Sequence, residues 1–521
     1  MNLVWIGFLL YVGMLVVLAG LGRRRARGDA ASFAVGRRLH PVVAGMTLSA
    51  AIASTATFVI NPGFVYVHGV SALIHFGVAA FLGMAGGLVL VCGRFRRRGA
   101  AGGALTLPQW IGQRYGSRGL RTYFAAVNLL SLAFVVLIVG GLSIMMQATL
   151  GLSYRTALVT VTAIVVGYVL AGGAYANAYV NTMQATIMAI VAAMIVGSGV
   201  GHLLDGNALD RLAAVDPNLT AAINPGSALF SSWFSVFGAG FVIGFALMCQ
   251  PHVMTTALYV EDDRGIRRAL AVAITLCALF TGVLLAGLYA HLAGIPREAM
   301  IDPATGAFRQ DRVMAAYLAN TFSPAGLAIV TIAILSAGMS TMSSILVALS
   351  GITGNDLFAT WKRWRGGEAT PEASRRVGQA AVIAFAVAAF AIALDPPRLL
   401  GIFGQLGAYG VVSAAAAPLI LGALMPGLGR GAATVAAVAG PVVHFSLYGL
   451  GKVEGARVAA SGAGLDLGNP GVTAAVAILA STAGALAMYG LSLRTSVSVE
   501  RPGVPAPRSS SPSSSQVASP S

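Results

Sequence analysis

The sequence predicts an all-α integral membrane protein, and three observations carry that prediction. Hydrophobic residues make up 57% of the 521 and charged residues only 10%, at a mean hydropathy of +0.81, which leaves too little polar surface to coat a soluble globule. Runs of about 20 apolar residues, each long enough to cross the hydrocarbon as a helix, recur about thirteen times. The formal charge of +16 is gathered into clusters on alternate loops. That is the pattern of a multi-pass chain and argues against a nucleic-acid partner.

The first run, Asn2–Gly22, lacks the basic start and small-residue cleavage site of a signal peptide and is long enough to span, so it counts as a helix. Arg23, Arg24, Arg25, Arg27, Arg37 and Arg38 follow it. Arg94, Arg96, Arg97, Arg98, Arg114 and Arg118 follow the third run, Arg264, Arg267 and Arg268 the seventh, and Lys362, Arg363, Arg365, Arg375 and Arg376 the ninth. Positive loops stay inside, so the N-terminus is expected outside a plasma or inner membrane and the C-terminus in the cytoplasm. Contact with anionic lipid is then a by-product.

After the extra helix and basic linker of residues 1–40, five spans are predicted within residues 41–203: Pro41–His68, Ser71–Gly93, Leu120–Thr149, Tyr154–Gly173 and Ala178–Val200. An outer loop through Asp205, Asp210 and Asp216 leads to five more within residues 204–424: Phe230–Gln250, Arg268–Ala293, Ser323–Thr353, Val377–Leu394 and Leu399–Leu424. Gly431–Leu450 and Gly471–Leu493 trail within residues 425–493, and the Pro/Ser-rich residues 494–521, with nothing to bury, are expected to be disordered. Because five is odd, the second set enters from the opposite side, which permits an inverted repeat. Cys92, Cys249 and Cys277 have no metal or redox spacing and read as small apolar fillers.

Two spans carry break signals, each the first of its five. In Pro41–His68 the triplet Asn61-Pro62-Gly63 interrupts the run. Pro62 has no N–H for the carbonyl of Phe58 and disfavours helix at Asn61, so bonding is expected to loosen around Ser54–Gly63. In Phe230–Gln250, Gly238, Gly240 and Gly244 punctuate the run, and Gln250-Pro251-His252 closes it at the cytoplasmic side. Paired interruptions at corresponding places point to a transporter's site, because freed carbonyls and half-helix ends bind ions and solutes there.

Oxygens gather in Ser336–Phe358, SAGMSTMSSILVALSGITGNDLF. At helical spacing Ala337, Ser340 and Thr341 stand at i, i+3 and i+4, so one carbonyl and two hydroxyls share a face suited to a bare cation, while Ser343 and Ser344 point elsewhere. Close helix packing through small residues is the competing account of such a face taken alone. No carboxylate occurs between Asp29 and Asp205, and Asp356 and Asp395 sit at helix ends. A proton relay would have only His75, the one histidine well inside a span of the first five, since His252 and His291 look interfacial. Sodium is a hard cation that neutral oxygens hold where backbone is unwound, and it fits this chain better.

These residues resemble the sodium:solute symporter family from Ser32 to Leu424. FAVGRRLHPVVAGMTLSAAIASTATFVINPGFVY looks like the family's opening, and LTLPQWIGQRYGS like its cytoplasmic segment. GGAYANAYVNTMQ resembles the segment that opens the fifth core helix and CQPH the motif after the sixth, while Ser336–Phe358 matches the eighth, ending in Asp356-Leu357-Phe358. The resemblance implies a LeuT-like core of five plus five inverted helices, with sodium between the first and eighth. Its ligands there would be the carbonyls of Ala50, Ala53 and Ala337 and the hydroxyls of Ser340 and Thr341. Ser54, Thr57, His75, Ile243, Leu247 and Gln405 would line the substrate pocket. Where the family usually has an aspartate after an aromatic residue, this chain has Tyr179-Val180-Asn181, which implies one sodium per cycle.

Ile243 and Leu247 make that pocket apolar, which disfavours a sugar. With no buried carboxylate to meet an amine and a helix N-terminus available for an anion, a small monocarboxylate such as acetate, propionate, lactate or pyruvate is the expected solute. The expected activity is sodium-coupled import by alternating access, carried out by a monomer with no cofactor beyond the coupling ion. A proton-coupled carrier using His75 and a sodium symporter for an amino acid such as proline are the alternatives. No metal-spaced cluster, phosphate loop or nucleophile elbow argues for an enzyme, and no filter repeat or charged ring for a channel.

Overall fold

The computed structural model describes residues 3–26, 39–302, 306–397 and 399–499. The linker arginines Arg27, Arg37 and Arg38, the start of the family-like opening, and the tail from residue 500 lie outside the described residues, while residues 494–499, expected in the disordered tail, continue the helix Pro470–Val499. Among the described residues ten helices are long and apolar enough to cross a membrane, and two bent pairs raise the number to twelve. One of the ten, Tyr154–Ser198, has 45 residues, about 67 Å at the helical rise and roughly twice the hydrocarbon thickness. It turns at Gly173, whose φ of 53° and ψ of −135° suit glycine alone. Its two limbs are the spans expected there.

Helix is the natural state of these runs because hydrocarbon offers backbone N–H and C=O groups no other partners. Their starts are set by side chains that accept orphan N–H groups: Asp262 from Gly265, Ser323 from Gly326 and Thr370 from Ala373. Pro324 and Pro371 follow the last two in the first turn, where a missing N–H costs nothing. Several helices overrun the expected ends. Val70–Gly102 and Pro324–Trp364 carry their arginines on helical turns, the former stopping where Gly103 turns left-handed.

The first broken helix is Pro41–Ile52 plus Ala56–His68, bent by 53°. Regular bonding ends with the Ala53 N–H on the Ser49 carbonyl, and Ala53 is extended. The chain then makes a π-turn over Ala56–Ile60 and resumes as α-helix from Asn61, with Pro62 in its first turn. The loosening predicted from Asn61-Pro62-Gly63 is therefore realised up-chain, at Ala53 and Ser54.

The second broken helix corrects the sequence reading. It is Phe234–Leu247 plus Pro251–Tyr259, bent by 55°, so Gln250-Pro251 is the break itself and not the end of the span. Gln250 is extended, as a residue before proline prefers. The glycines of this run serve packing instead. A Cβ added at Gly244 would lie 2.0 Å from the Ala80 carbonyl oxygen, so this helix meets Val70–Gly102 backbone to backbone. Gly244→Ala should therefore destabilise by about 1–3 kcal/mol through overpacking. Gly167→Ala, with nothing within 4 Å of its added Cβ, should be neutral or stabilise by about 0.5–1 kcal/mol. Melting curves of the two purified variants check the opposite signs.

Pro324–Trp364 is the central element, 89% buried over its most apolar window. Leu3–Ala26 packs on it and on Tyr154–Ser198, while Arg430–Leu450 and Pro470–Val499 pack on each other and on Leu400–Leu424. The arginine clusters after the third and seventh runs meet at one end of the bundle, where Arg96 and Arg97 reach Asp263 beside Arg264. Arg98 and Arg114 both donate to the Gly422 carbonyl, and Tyr115 donates to that of Pro418 at 2.6 Å.

Candidate ion and solute site

The break in the first helix leaves carbonyls without an N–H partner, and Pro324–Trp364 brings its hydroxyls to them. Ser340 Oγ lies 2.8 Å from the Ala50 carbonyl and 2.9 Å from that of Ala337. Thr341 Oγ1 lies 3.2 Å from the carbonyl of Ala51, 3.3 Å from those of Ala50 and Ala337, and 3.5 Å from that of Ala53. All six residues are buried, Ser340 and Thr341 completely. The structure thus gathers all five expected ion ligands and adds the Ala51 carbonyl.

The shell has more lone pairs than protons. Two hydroxyls bring two protons to the three carbonyls at the break and to that of Ala337, which already has its helical N–H, and a buried carbonyl without a partner is costly. A hard cation of about sodium's size takes oxygens at about 2.3–2.6 Å, which spaces ligands at right angles about 3.3–3.7 Å apart. The Thr341 distances fall in or near that range, whereas Ser340 Oγ, at 2.8 and 2.9 Å from its carbonyls, must move outward to admit a small cation.

Ser343 and Ser344 point elsewhere, as their spacing predicts. Ser343 Oγ donates to Asn177 Oδ1 at 2.6 Å. Asn177 and Asn181 each donate an amide N–H to Ser344 Oγ, at 3.1 and 3.0 Å, and Ser344 Oγ donates to the Ser340 carbonyl at 2.8 Å. The two amides take up the lone pairs of Ser344 Oγ, while Asn181 Oδ1 has no partner.

A cavity of about 160 Å³ lies between the two breaks. Of the residues expected to line it, Ser54, Thr57, Leu247 and Gln405 do so, beside Phe76, Phe134, Phe280 and Tyr409. His75 and Ile243 are buried off the lining. His75 Nδ1 is 2.8 Å from the Ser235 carbonyl. That carbonyl is free because a π-turn over Phe234–Gly238 sends the Ala239 N–H to Phe234 instead. The imidazole therefore joins two helices rather than meeting a solute.

The sequence reading missed His252 and Asn61. His252, expected at an interface, is only 4% exposed and lines the cavity, and its Nδ1 has no partner. Asn61 lines the cavity too, with Oδ1 unpartnered. Both stand beside a proline of a break, so a break placed at Gln250-Pro251 would have found His252. Asp356, expected at a helix end, is wholly buried. It accepts from Arg121 Nε at 2.6 Å and from Thr106 Oγ1 at 2.7 Å.

The family model for the sodium:solute symporter family matches residues 33–438. A sodium/pantothenate symporter of Haemophilus influenzae is 27% identical over 410 residues, covering 75% of this chain and 79% of that protein. The high-affinity proline transporter PutP of Bacillus subtilis is 28% identical over 373 residues, covering 69% and 74%. Among solved structures, the substrate-bound outward-open state of a Na+-coupled sialic acid symporter superposes with a TM-score of 0.72 at 14% identity, over 94% of this chain and 98% of that one. At that identity the likeness shows the fold.

Proposed function

Because this chain belongs to the sodium:solute symporter family, we propose that it couples entry of one sodium ion to import of a small carboxylate, with Ala50, Ala53, Ala337, Ser340 and Thr341 as the ion's ligands. The observation that carries this reading is the proton-poor oxygen shell, because its Ala53 carbonyl belongs to the same unwound stretch that lends Ser54 to the cavity, one turn before Thr57. An ion in the shell holds that stretch against Pro324–Trp364 and so preforms the cavity wall. By linkage the solute tightens the ion equally. Loss of the ion on the sodium-poor side frees the first helix to move, which is alternating access about a fixed site.

Several observations support the finer points. Asn181 carries no charge and its amide already serves Ser344, which favours one ion per cycle. Arginines meet at one end of the bundle, and the positive-inside rule makes that end cytoplasmic. Pantothenate and proline, named in two relatives, both bear a carboxylate. One observation favours the proline reading over a simple monocarboxylate: the unpartnered Asn61 Oδ1 is an acceptor that an imino acid's ammonium would fill.

Uptake of labelled pyruvate, proline and pantothenate into proteoliposomes, with an inward sodium or choline gradient and no pH gradient, tests the reading. Sodium-dependent uptake of pyruvate is expected, and proline in its place favours the imino-acid reading. Equal uptake in choline overturns the coupling, and uptake of pantothenate alone overturns the small-solute assignment.

A further inference from the structure

The ligand-bearing turn is held from behind as closely as from the front. Met339 stands two residues after Ala337, about 200° around the helix from it, and so faces away from the shell. Its carbonyl accepts from Tyr168 OH at 2.9 Å, and its sulfur lies 3.6 Å from Tyr11 OH. Gln184 Nε2 donates to that same Tyr11 oxygen at 2.6 Å. Tyr11, Tyr168, Gln184 and Met339 are all buried.

These groups come from three helices, Leu3–Ala26, Tyr154–Ser198 and Pro324–Ile352, that pack on one another. Tyr168 precedes the Gly173 turn and Gln184 follows it. Tyr11 belongs to Leu3–Ala26, which lies outside the family match over residues 33–438. That extra helix is seated tightly, since a Cβ added at Gly22 would lie 2.4 Å from the Ala176 Cα. In hydrocarbon a buried phenol must find an acceptor within the protein. Both phenols find theirs on Met339, one residue before Ser340.

We propose that Tyr168 and Tyr11 are positioning residues for the sodium shell, fixing the Met339–Ser340 peptide from behind so that the added N-terminal helix tunes sodium affinity without touching the ion. The proposal rests on the shell assigned above to Ser340 and Thr341. A bond from Tyr168 to the Met339 carbonyl sets the tilt of that peptide plane, and the plane sets where Ser340 aims its hydroxyl. Without the bond the turn samples wider geometries, and the ion must restrain it at its own expense.

The test is the melting temperature of the purified full-length protein against sodium chloride, with choline chloride holding ionic strength, for wild type, Tyr168→Phe, Tyr11→Phe and Ser340→Ala. Phenylalanine keeps the ring packing and removes only the hydroxyl. Tyr168→Phe is expected to raise the half-stabilising sodium concentration about three- to tenfold, and Tyr11→Phe about two- to threefold, the range spanned by one net hydrogen bond. If Ser340→Ala shifts the half-point while both tyrosine variants titrate like wild type, the positioning role falls and the shell stands. If the tyrosine variants melt lower by the same amount in sodium and choline, their role is structural only and the proposal fails. If Ser340→Ala itself titrates like wild type, the shell assignment fails and takes the proposal with it.

Discussion

Ser340→Ala and Thr341→Ala should each raise the sodium concentration for half-maximal uptake about ten- to 150-fold, and the double substitution should abolish sodium dependence. Each alanine removes one oxygen from a neutral shell, so the bound ion loses a ligand that the ion-free state does not need. A polar contact to a charged group is worth about 1.5–3 kcal/mol, which is about ten- to 150-fold in affinity. The maximal rate at saturating sodium should change far less, because neither hydroxyl lines the cavity. Thr341→Ser keeps the oxygen and should stay within about twofold of wild type. Uptake at graded sodium, with choline as the balancing cation, checks both the shift and the rescue. Wild-type behaviour in both alanine variants would remove the shell from the coupling step.

The residues that made this site legible are those whose roles follow from local spacing. Ala337, Ser340 and Thr341 share a face on any helix, and a proline beside a short polar stretch loosens any helix near it, so one half of the shell and the location of the other were readable. What sequence could not supply was the path of the chain past a break. Gln250-Pro251 reads equally as a stop and as a bend. The bend is decided by Pro251–Tyr259 finding room against the Pro41–Ile52 and Val70–Gly102 helices, a matter of packing between distant segments.

The same limit explains His75. A lone imidazole on a packed apolar helix is more often a hydrogen-bonded interior residue than a solute ligand, and the sequence leaves both open. Its partner here is a main-chain carbonyl released by a π-turn on another helix, and residue types do not announce such a vacancy. Asp356 reads as a helix-end residue for a related reason. Pro324–Trp364 runs on past it to Lys362 and Arg363, and these basic residues suit a helix C-terminus. The carboxylate thus lies inside the helix, facing Arg121, rather than at its end.

That burial yields the second large effect expected. Arg121→Met should cost about 3–5 kcal/mol, because it strands the wholly enclosed Asp356 carboxylate with Thr106 as its one remaining donor. Asp356→Asn should cost less, about 1–3 kcal/mol. It leaves the Arg121 side chain 21% exposed, still donating to the Asn355 carbonyl at 2.6 Å and within reach of water. The asymmetry separates a desolvated charge from a mere lost contact, since an equal pairwise loss would make the two variants alike. Replacing both partners, Arg121→Met with Asp356→Leu, should recover much of the stability lost by Arg121→Met alone, because no charge is then left buried. Melting temperatures and size-exclusion profiles in detergent read all three. A folded Arg121→Met protein as stable as wild type would show that the carboxylate is already neutral or hydrated in place. The joint between the Leu107–Arg114, Arg118–Leu150 and Pro324–Trp364 helices would then rest on apolar packing instead of on this pair.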